Sequence, residues 1–444
     1  MKALFRSFVL GVLTACARAR LARMRRNGVK VIGVTGSIGK TTCKEAIAHV
    51  LRGQFRVLSS VKSYNTEFGL PLTILELTSE FSSVIGWAKN LILAVWMGIF
   101  ARVDYDILIL EMGVDKPGDM DQLVGVIGNL DIGVFTGVHP VHMADGQFAD
   151  MDAIFQEKAK LAKAVKSDGA MLLNYDDEQC RGLGLEMNKN KMSPKVIMYG
   201  TGEAAKLRAD DIQSGRDGLV FEAKYGEVIE QIRAPILGKQ HISSLLPAIG
   251  CGLFLGMYMR DIAKRLATFT LPPGRLSAID GVNGSLIIDS SYNASPDAVR
   301  AAVNTLCELT EEIKAKTETG SQKFCARRIF VFGNMNELGE ISEREHRNMA
   351  SFLSGKIDVL VTVGDMAKLC ALEIEKRHAQ SMKILSFNDA MAAAEYLKPK
   401  LQNGDIVLVK GSQNKVRLER VVKALMKDPS QAQSLLARQD WTDA

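Results

Sequence analysis

The sequence predicts an α/β protein with a central, doubly wound, mostly parallel sheet domain, a small antiparallel hairpin region, and a second α/β domain after it. Three observations predict this. Short β-rich runs alternate with helical patterns between residues 29 and 200. A glycine turn lies between the first run and the first helix, and a second series of apolar runs follows the break TLPPGR at 270–275.

The predicted strands of the central domain are apolar on both sides. They are KVIGVTG, FRVLSS, DILILEMG, DIGVFTGV, AMLLNY and KVIMYG. Such runs are typical of parallel strands that helices cover on both faces, and helical patterns over 40–52 and 152–167 lie between them. From 211 to 235 the chain alternates with period two around glycines, which predicts antiparallel hairpins, and a helical pattern follows over 240–267.

The proline and glycine residues of TLPPGR mark the predicted domain boundary. This boundary divides the chain into a central domain at 29–269 and a C-terminal domain at 270–444, after an N-terminal arm at 1–28. The strands predicted beyond it are GSLIIDSS, RRIFVFGN, IDVLVTVG, MKILSF and GDIVLVKGS. Helical patterns separate them, so the second domain is predicted to be Rossmann-like.

The composition limits the classes of protein to consider. The chain has 444 residues, 47% hydrophobic and 24% charged, which is ordinary for a soluble globular protein of more than one domain. Its seven cysteines are scattered without a metal-binding spacing, as expected in a reducing compartment. The net charge of +6 comes from the first thirty residues, so a basic body that would bind nucleic acid is absent.

Residues 1–28 predict a basic amphipathic arm, and three interpretations of it remain open. The first is a helix that either packs on its own domain or lies on an anionic membrane surface. The second is a short membrane anchor, and the third is a lipoprotein signal that ends at LTAC. The apolar part from Phe8 to Ala17 is too short to span a membrane. The arginines that follow LTAC oppose export.

A second apolar stretch, Val84 to Phe100, lies within an insertion at 80–103. A spanning helix needs about 20 residues, so this shorter stretch predicts a buried or interfacial helix. The arm and the insertion together suggest peripheral contact with the inner face of a membrane, in a protein otherwise expected in the cytoplasm.

The turn GSIGKTT at 36–42 predicts a phosphate-binding P-loop. Gly36 and Gly39 let the backbone direct N–H groups, including those beside Ser37, onto phosphate oxygens. Lys40 would neutralise the phosphates and Thr41, followed by Thr42, would offer a hydroxyl to Mg²⁺. The strict pattern GxxxxGK[ST] is not met, because Val34 occupies its first glycine position, and the alternative is a chance glycine turn.

Further candidates follow the next strands. Glu111 ends the run LILE, and His139 and His142 follow DIGVFTGV. Ligands of open α/β sheets bind at the carboxyl ends of strands, where these side chains are expected. The alternatives are a solvated or helix-capping carboxylate and structural histidines.

Beyond these residues, the chain resembles the Mur ligase superfamily, the ATP-dependent acid–amino-acid ligases of cell-wall synthesis. The matching motifs run from 31 to 419 and are GVTGSIGKTT, SYNTEFGLPLTIL, LEMGVDKPGDM, HPVHMADG, EKAKL, NYDD, LGKQHISSLLPAI, PGRL, DSSYNASPDAV, FGNMNELGE and VKGSQNKVRLE. Within the superfamily, SYNASP and VKGS favour the branch that adds D-alanyl-D-alanine to UDP-N-acetylmuramoyl-tripeptide.

The resemblance implies that ATP and two Mg²⁺ ions are the cofactors, and it assigns residues to them. The implied catalytic residues are Lys40, Lys158, His142 and Arg275, and the implied metal ligands are Thr41, Glu111, His142 and Lys158. Lys158 matches a lysine that is carbamylated in many of these ligases, and its own state stays open. The implied nucleotide contacts are Gly36, Ser37, Gly39, Lys40, Thr41, Thr42, His241, Arg275, Asp289, Tyr292 and Asn293.

The resemblance also implies the substrates and the residues that face them. Asn65 and Glu67 match a loop near the acyl acceptor, and Asn334, Glu337 and Lys410 match the face toward the incoming amine. The implied reaction activates a carboxylate as an acyl phosphate and joins it to D-alanyl-D-alanine, on a muramoyl-tripeptide-type acceptor of peptidoglycan synthesis. Gly137 and His139 depart from the usual residues of the histidine segment.

The identity of the acceptor stays open. Only about thirty residues precede the phosphate turn, which is shorter than the uridine-binding domain of the D-alanyl-D-alanine branch. The acceptor is then lipid-linked, held by another protein, or a different molecule. The alternatives are a folylpolyglutamate or cyanophycin-type ligase, which SYNASP argues against, and a membrane-peripheral nucleotide-binding module without ligase activity. The sequence says little about the oligomeric state.

Overall fold

The structure is a computed structural model that describes residues 2–60, 64–79, 84–141, 143, 146–189, 194–317, 326–377, 382–413 and 416–437. One sheet organises the central domain. Its strands are β1 (Lys30–Thr35), β2 (Val57–Ser59), β3 (Ile107–Glu111), β4 (Leu130–Phe135), β5 (Val165–Asn174), β6 (Lys195–Gly200), β7 (Leu207–Gly215), β8 (Gly218–Tyr225) and β9 (Val228–Ala234). Their order is β2-β3-β1-β4-β5-β6-β7-β8-β9, parallel as far as β7, after which β8 and β9 are antiparallel.

Helices cover both faces of this sheet. They are α1 (Lys2–Arg26), α2 (Lys40–Leu51), α3 (Gly69–Ile74), α4 (Val84–Ile99), α5 (Asp119–Ile127), α6 (Met151–Lys163), α7 (Glu178–Lys189), α8 (Ile242–Phe254) and α9 (Met259–Leu266). Neighbouring residues of β1 point to opposite faces, so Ile32 joins the core beneath α2 and α8, and Val31 joins the core beneath α1. The predicted doubly wound architecture is confirmed, with the hairpins continuing the same sheet.

The C-terminal domain contains a six-stranded sheet. Its strands are β10 (Ser277–Asp280), β11 (Leu286–Ser290), β12 (Arg328–Gly333), β13 (Val359–Val363), β14 (Lys383–Phe387) and β15 (Ile406–Lys410), in the order β10-β11-β15-β12-β13-β14. Only β10 is antiparallel to its neighbour, among the strands that the structure describes.

The helices of this domain complete the α/β architecture. They are α10 (Pro296–Thr317), α11 (Ser342–Leu353), α12 (Asp365–Lys376), α13 (Ala390–Leu397), α14 (Glu419–Leu425) and α15 (Ala432–Leu435). Short 3₁₀ helices occur at Lys239–His241, Val282–Gly284, Gly339–Ile341, Lys398–Lys400 and Pro429–Gln431.

The structure differs from the sequence prediction in several elements, and the helical pattern over 240–267 forms two helices, α8 and α9. The helix predicted over 152–167 ends at Lys163, because Val165 pairs with Leu130 of β4 and begins β5. Strand β10 is absent from the sequence prediction, since its four residues form a strand only through antiparallel pairing with β11.

The N-terminal arm is a helix that packs on its own domain, which matches the first of the three interpretations. Val9, Leu13, Leu21 and Met24 recur at helical spacing and are buried in the core beneath α1. The guanidinium of the fully buried Arg20 donates to the carbonyl of Met97 at 2.9 Å and pairs with Glu76. Of the helices described, none has the length and apolar character needed to cross a membrane.

A buried carboxyl lies at the end of β11. Asp289 is fully buried, and its Oδ1 accepts a hydrogen bond from the Ser291 N–H at 3.0 Å. Burial raises the pKa of Asp289 from its ordinary value of 3.8 to about 6. The ionised form of this group is therefore less stable in the folded chain than in the unfolded one.

The packing of α1 predicts the effect of shortening one of its buried side chains. Leu13→Ala removes fully buried methyl groups and should lower the free energy of unfolding by about 3 kcal/mol. Urea denaturation followed by the fluorescence of Trp87 and Trp96 on α4, which packs against α1, measures this loss. Ala22→Ser, on the exposed side of α1, is the control and should change the free energy by less than about 0.5 kcal/mol. Equal effects of both variants would contradict the packing of α1.

The burial of Asp289 predicts a pH dependence of stability. Because its pKa is higher in the folded chain, protonated Asp289 contributes to the free energy of unfolding. This contribution is complete below the unfolded pKa of 3.8 and is lost as the pH rises through about 6. Asp289→Asn cannot ionise and should not show this loss. Between pH 3.8 and about 6, its free energy of unfolding should therefore rise by up to about 3 kcal/mol relative to that of the wild type. Urea denaturation at a series of pH values measures the difference. Asp168→Asn, at an exposed position, should follow the wild type, and a parallel course for Asp289→Asn would refute the prediction.

Candidate active site

The turn between β1 and α2 has the backbone conformation that a phosphate-binding loop needs. Gly36 has a φ of 146°, and a Cβ there would lie 2.0 Å from the Thr136 hydroxyl oxygen, so no other residue fits. Gly39, with a φ of 82°, precedes the first residue of α2 without a side-chain cap. The positive N-terminal end of α2 therefore adjoins the turn and favours an anion there.

Lys40 lies over this turn. Its ammonium donates to the carbonyl oxygens of Gly36 at 2.7 Å and Ser37 at 3.1 Å. Burial lowers the pKa of Lys40, and the charge of Glu111 opposes this shift. The ammonium group is thus held at the loop, where it would form an ion pair with a bound phosphate.

Thr41 and Glu111 meet because β1 and β3 are paired. Val34 is in register with Glu111, so the carboxylate at the end of β3 lies beside the turn that follows β1. The Thr41 hydroxyl donates to Glu111 Oε1 at 2.9 Å. Glu111 is 2% exposed, and its Oε2 makes no hydrogen bond within the described part of the chain.

This pair of oxygen donors fits Mg²⁺, which prefers carboxylate and hydroxyl oxygens. The observation that supports the fit is the buried Oε2 of Glu111, which makes no hydrogen bond within the described part of the chain and lies 4.0 Å from the Lys44 ammonium. His142, the predicted third ligand, lies outside the described residues. Among the residues that are described, no group of three or more His, Cys, Asp and Glu side chains could hold a metal ion.

Lys158 on α6 is fully buried. Its Nζ makes no hydrogen bond among the described residues. Burial lowers its pKa well below the ordinary value, the charge of Lys40 lowers it further, and Asp115 opposes both effects. The two ammonium groups therefore lie close enough to interact, although Lys158 does not line the cavity described next.

A cavity of about 540 Å³ lies between the two domains. Most of the predicted site residues line it, namely Ser37, Gly39, Lys40, Thr41, Thr42, Asn65, Glu111, His241, Arg275, Tyr292, Asn293, Glu337 and Lys410. Among the predicted residues that the structure describes, those that do not line it are Gly36, Glu67, Lys158, Asp289 and Asn334.

The C-terminal domain provides a second cationic wall. The Arg275 guanidinium lies over the Tyr292 ring at 4.3 Å from its centroid. The Lys410 ammonium donates to the Asn293 carbonyl at 2.9 Å and the Ser290 hydroxyl at 3.0 Å. Burial and the charge of Arg275 lower the pKa of Lys410 to about 7.

His241 reaches the cavity from the start of α8. Burial and the charge of Arg275 lower its pKa to about 4, so the imidazole is neutral at pH 7. Its Nε2 has no hydrogen-bond partner among the described residues. A neutral ring with one free nitrogen can donate to or accept from a planar polar ligand.

Three predicted residues have partners elsewhere. Asn334 Oδ1 accepts from the Ala367 N–H at 3.0 Å, near the start of α12. Glu67 accepts from Arg6 of α1 at 3.0 Å. Asp289 is the buried carboxyl at the end of β11 described above. None of the three lines the cavity, and their predicted roles toward ligands stay predictions.

The sequence did not predict a contact across the two domains. His139 Nδ1 lies 2.9 Å from Asp297 Oδ2, on the first turn of α10. The histidine was a candidate because it follows a strand. Its partner gave no local signal, since the two residues are 158 positions apart.

Comparisons with known proteins identify two family domains. The model for the Mur ligase middle domain matches residues 34–252. The model for the Mur ligase glutamate ligase domain matches residues 274–413. Together these matches include the phosphate turn, Glu111, Lys158, Arg275 and Lys410.

Curated relatives carry the name UDP-N-acetylmuramoyl-tripeptide–D-alanyl-D-alanine ligase. The Bacillus subtilis protein is 29% identical over 418 residues, which are 94% of this chain and 80% of that protein. The Mycobacterium tuberculosis protein is 29% identical over 440 residues, 95% of this chain and 77% of that protein.

Solved structures share the fold. MurF from Acinetobacter baumannii has a TM-score of 0.75 at 22% identity and covers 94% of this chain and 80% of its own. MurF from Thermotoga maritima in complex with ADP has a TM-score of 0.71 at 23% identity, and the match covers 95% of this chain and 84% of that protein. With both family domains matched in order, the chain belongs to the Mur ligase family.

Proposed function

We propose that the chain is an ATP-dependent acid–amino-acid ligase that adds D-alanyl-D-alanine to a muramoyl-tripeptide-type acceptor in peptidoglycan precursor synthesis. The observation that carries this proposal is the cavity, because Lys40 and Glu111 of one domain and Arg275 and Lys410 of the other line the same space. The names of the curated relatives support the choice of substrates.

The residues of the central domain suit the nucleotide. Lys40 and the N–H groups of the glycine turn would bind the phosphates of ATP, and His241 would contact the base. Thr41 and Glu111 would hold a Mg²⁺ ion, which supplies charge neutralisation at the phosphates when it is bound. Arg275 would reach the phosphates from the other domain, so both domains are needed for a complete phosphate site.

The chemistry explains why such a site is needed. A carboxylate is a poor acyl donor, because an oxide would have to leave. Attack of its oxygen on the γ-phosphorus of ATP forms an acyl phosphate and releases ADP. Attack of the amine on the acyl carbon then forms the C–N bond, and phosphate leaves as the nitrogen loses a proton. Walls from two domains keep water from the acyl phosphate.

A second Mg²⁺ ion and a carbamylated Lys158 belong to this proposal. The Lys158 amine is fully buried, and its nitrogen has no hydrogen-bond partner among the described residues. Addition of CO₂ would replace a buried cation with an anion, which can ligate a metal ion. This change would also relieve the repulsion between Lys158 and Lys40.

We place the reaction in the cytoplasm, with peripheral contact at the inner face of the membrane. The proposed reaction consumes ATP, which the cytoplasm supplies. The carrier of the acceptor remains part of the proposal to test, with UDP-linked and lipid-linked muramoyl tripeptides as the two candidates.

Amine-dependent ADP release tests the ligase directly. Muramoyl tripeptide, ATP, Mg²⁺ and D-alanyl-D-alanine together should give ADP and the pentapeptide, and Lys40→Ala should lower kcat/KM at least about 100-fold through loss of phosphate charge stabilisation. Lys163→Ala, on the exposed face of α6, is the control and should act as wild type. A requirement for glutamate, or ADP release that ignores every amine, would refute the proposal.

Carbamylation of Lys158 is testable without turnover. Protein equilibrated with ¹³C-bicarbonate should show one slowly exchanging carbamate resonance in its ¹³C NMR spectrum. Lys158→Ala should abolish the resonance, and Lys163→Ala should retain it. A spectrum that is the same for all three proteins would rule out the modification at Lys158.

A further inference from the structure

The outward face of α4 is apolar. Its exposed large side chains are Ile92, Leu93, Val95, Trp96 and Ile99, with Phe100 directly after the helix. Ile92 is 74% exposed and Trp96 is 57% exposed. A helix on the surface of a soluble protein normally turns its polar side to the solvent, so this orientation is reversed.

The inner side of α4 explains why the helix stays in this orientation. Ala94 is buried, and a Cβ at Gly98 would lie 2.9 Å from the Cys16 carbonyl oxygen, so small residues allow α4 to lie against α1. The Arg23 guanidinium donates to the carbonyl of Gly98 at 3.1 Å, near the C-terminal end of α4. The apolar face therefore points outward because the opposite side is packed.

Helix α1 also exposes apolar side chains near its start. Phe5 is 44% exposed and Phe8 is 62% exposed, on the first turns of the helix that packs against α4. We call the exposed apolar side chains of α1 and α4 the apolar surface. Two helices of one domain thus expose aromatic and aliphatic groups together.

Cationic residues accompany the apolar surface. Neither α1 nor α4 contains an aspartate or a glutamate. The exposed basic residues on and beside these helices include Arg26, Lys89 and Arg102, whereas Arg6 pairs with Glu67 and Arg18 donates to the Gly125 carbonyl. Asp104, the first acidic residue after α4, forms an ion pair with Arg56. A partner of this surface should therefore offer apolar groups to the exposed apolar side chains and anionic groups to the basic residues beside them.

We propose that the apolar surface docks peripherally on a bilayer that contains anionic phospholipids. The aliphatic side chains and Trp96 would enter the boundary between headgroups and acyl chains, and the basic residues would contact the headgroups. Because the 16 residues of α4 are too few to span a bilayer, the helix would lie along the membrane surface. A second copy of this chain fits less well, because two-fold packing would bring like charges together.

This surface adjoins the predicted acceptor side of the cleft. Arg6 of α1 donates to Glu67 at 3.0 Å, and its guanidinium lies over the Phe68 ring at 5.2 Å from the centroid. The same loop carries Asn65, which lines the cavity. Docking would bring membrane-borne acceptors to that side, and in this respect the inference rests on the proposed function.

Sedimentation with vesicles tests the docking without any ligase reaction. The full chain should bind vesicles of phosphatidylcholine mixed with phosphatidylglycerol, and more weakly those of phosphatidylcholine alone. Trp96→Ser/Ile99→Ser should weaken binding at least about tenfold, because two apolar side chains no longer leave water. Val228→Ser/Ile229→Ser, at residues 50% and 56% exposed on β9, is the matched control and should bind as wild type.

A charge variant tests the second part of the proposal. Lys89→Glu/Arg102→Glu should remove the preference for vesicles that contain phosphatidylglycerol. Added salt screens the charges, so it should remove this preference in the wild type as well. Docking is overturned if the wild type binds neither vesicle, or if both serine variants weaken binding equally. It is also overturned if Trp96→Ser/Ile99→Ser dissociates a dimer in sedimentation equilibrium. Ligase activity on a soluble acceptor, measured beside this, should be the same for both serine variants, so either proposal can fail alone.

Discussion

The parallel pairing of β1 with β3 brings Glu111 to the glycine turn, and the geometry of the cleft depends on it. The register of the two strands decides which side chains meet at their carboxyl ends. A shift by one residue would turn Glu111 to the other face of the sheet and break its bond with Thr41. Since β1 also pairs with β4, the same constraint positions Thr136 beneath Gly36. The phosphate turn is therefore defined by the sheet as much as by its own glycines.

Cations gather around this edge of the sheet from both domains. Burial lowers the pKa values of Lys40, Lys158 and Lys410, and the charge of Arg275 adds to the effect at Lys410. Each ammonium group is thus less stable here than in water. An anion bound beside Lys40 and Lys410 stabilises their charged forms, and a polyphosphate carries the most negative charge to that place. The electrostatics of the cleft thus agree with a nucleotide substrate and give little reason for a neutral one.

The sequence predicted those features that local patterns encode. Apolar runs predicted the strands, and glycine spacing predicted the turn that carries Lys40. The features that it missed depend on distant partners. Pairing with Leu130 ends α6 before the predicted position, and pairing with β11 makes β10 a strand. The contact of Asn334 with the Ala367 N–H also joins residues that are distant in the sequence, and its predicted role toward the substrate stays a prediction.

The contacts between the domains bear on how the cleft opens. Beside the cavity they include the pair of His139 with Asp297, and Lys239 with Glu308 at 3.2 Å. Exposed ion pairs of this kind contribute about 0–1 kcal/mol each, so little free energy opposes their separation. A reaction through an acyl phosphate needs walls from both domains, and release of ADP and product needs those walls to part. Polar contacts of this kind can break and re-form in each turnover, as opening and closing of the cleft require.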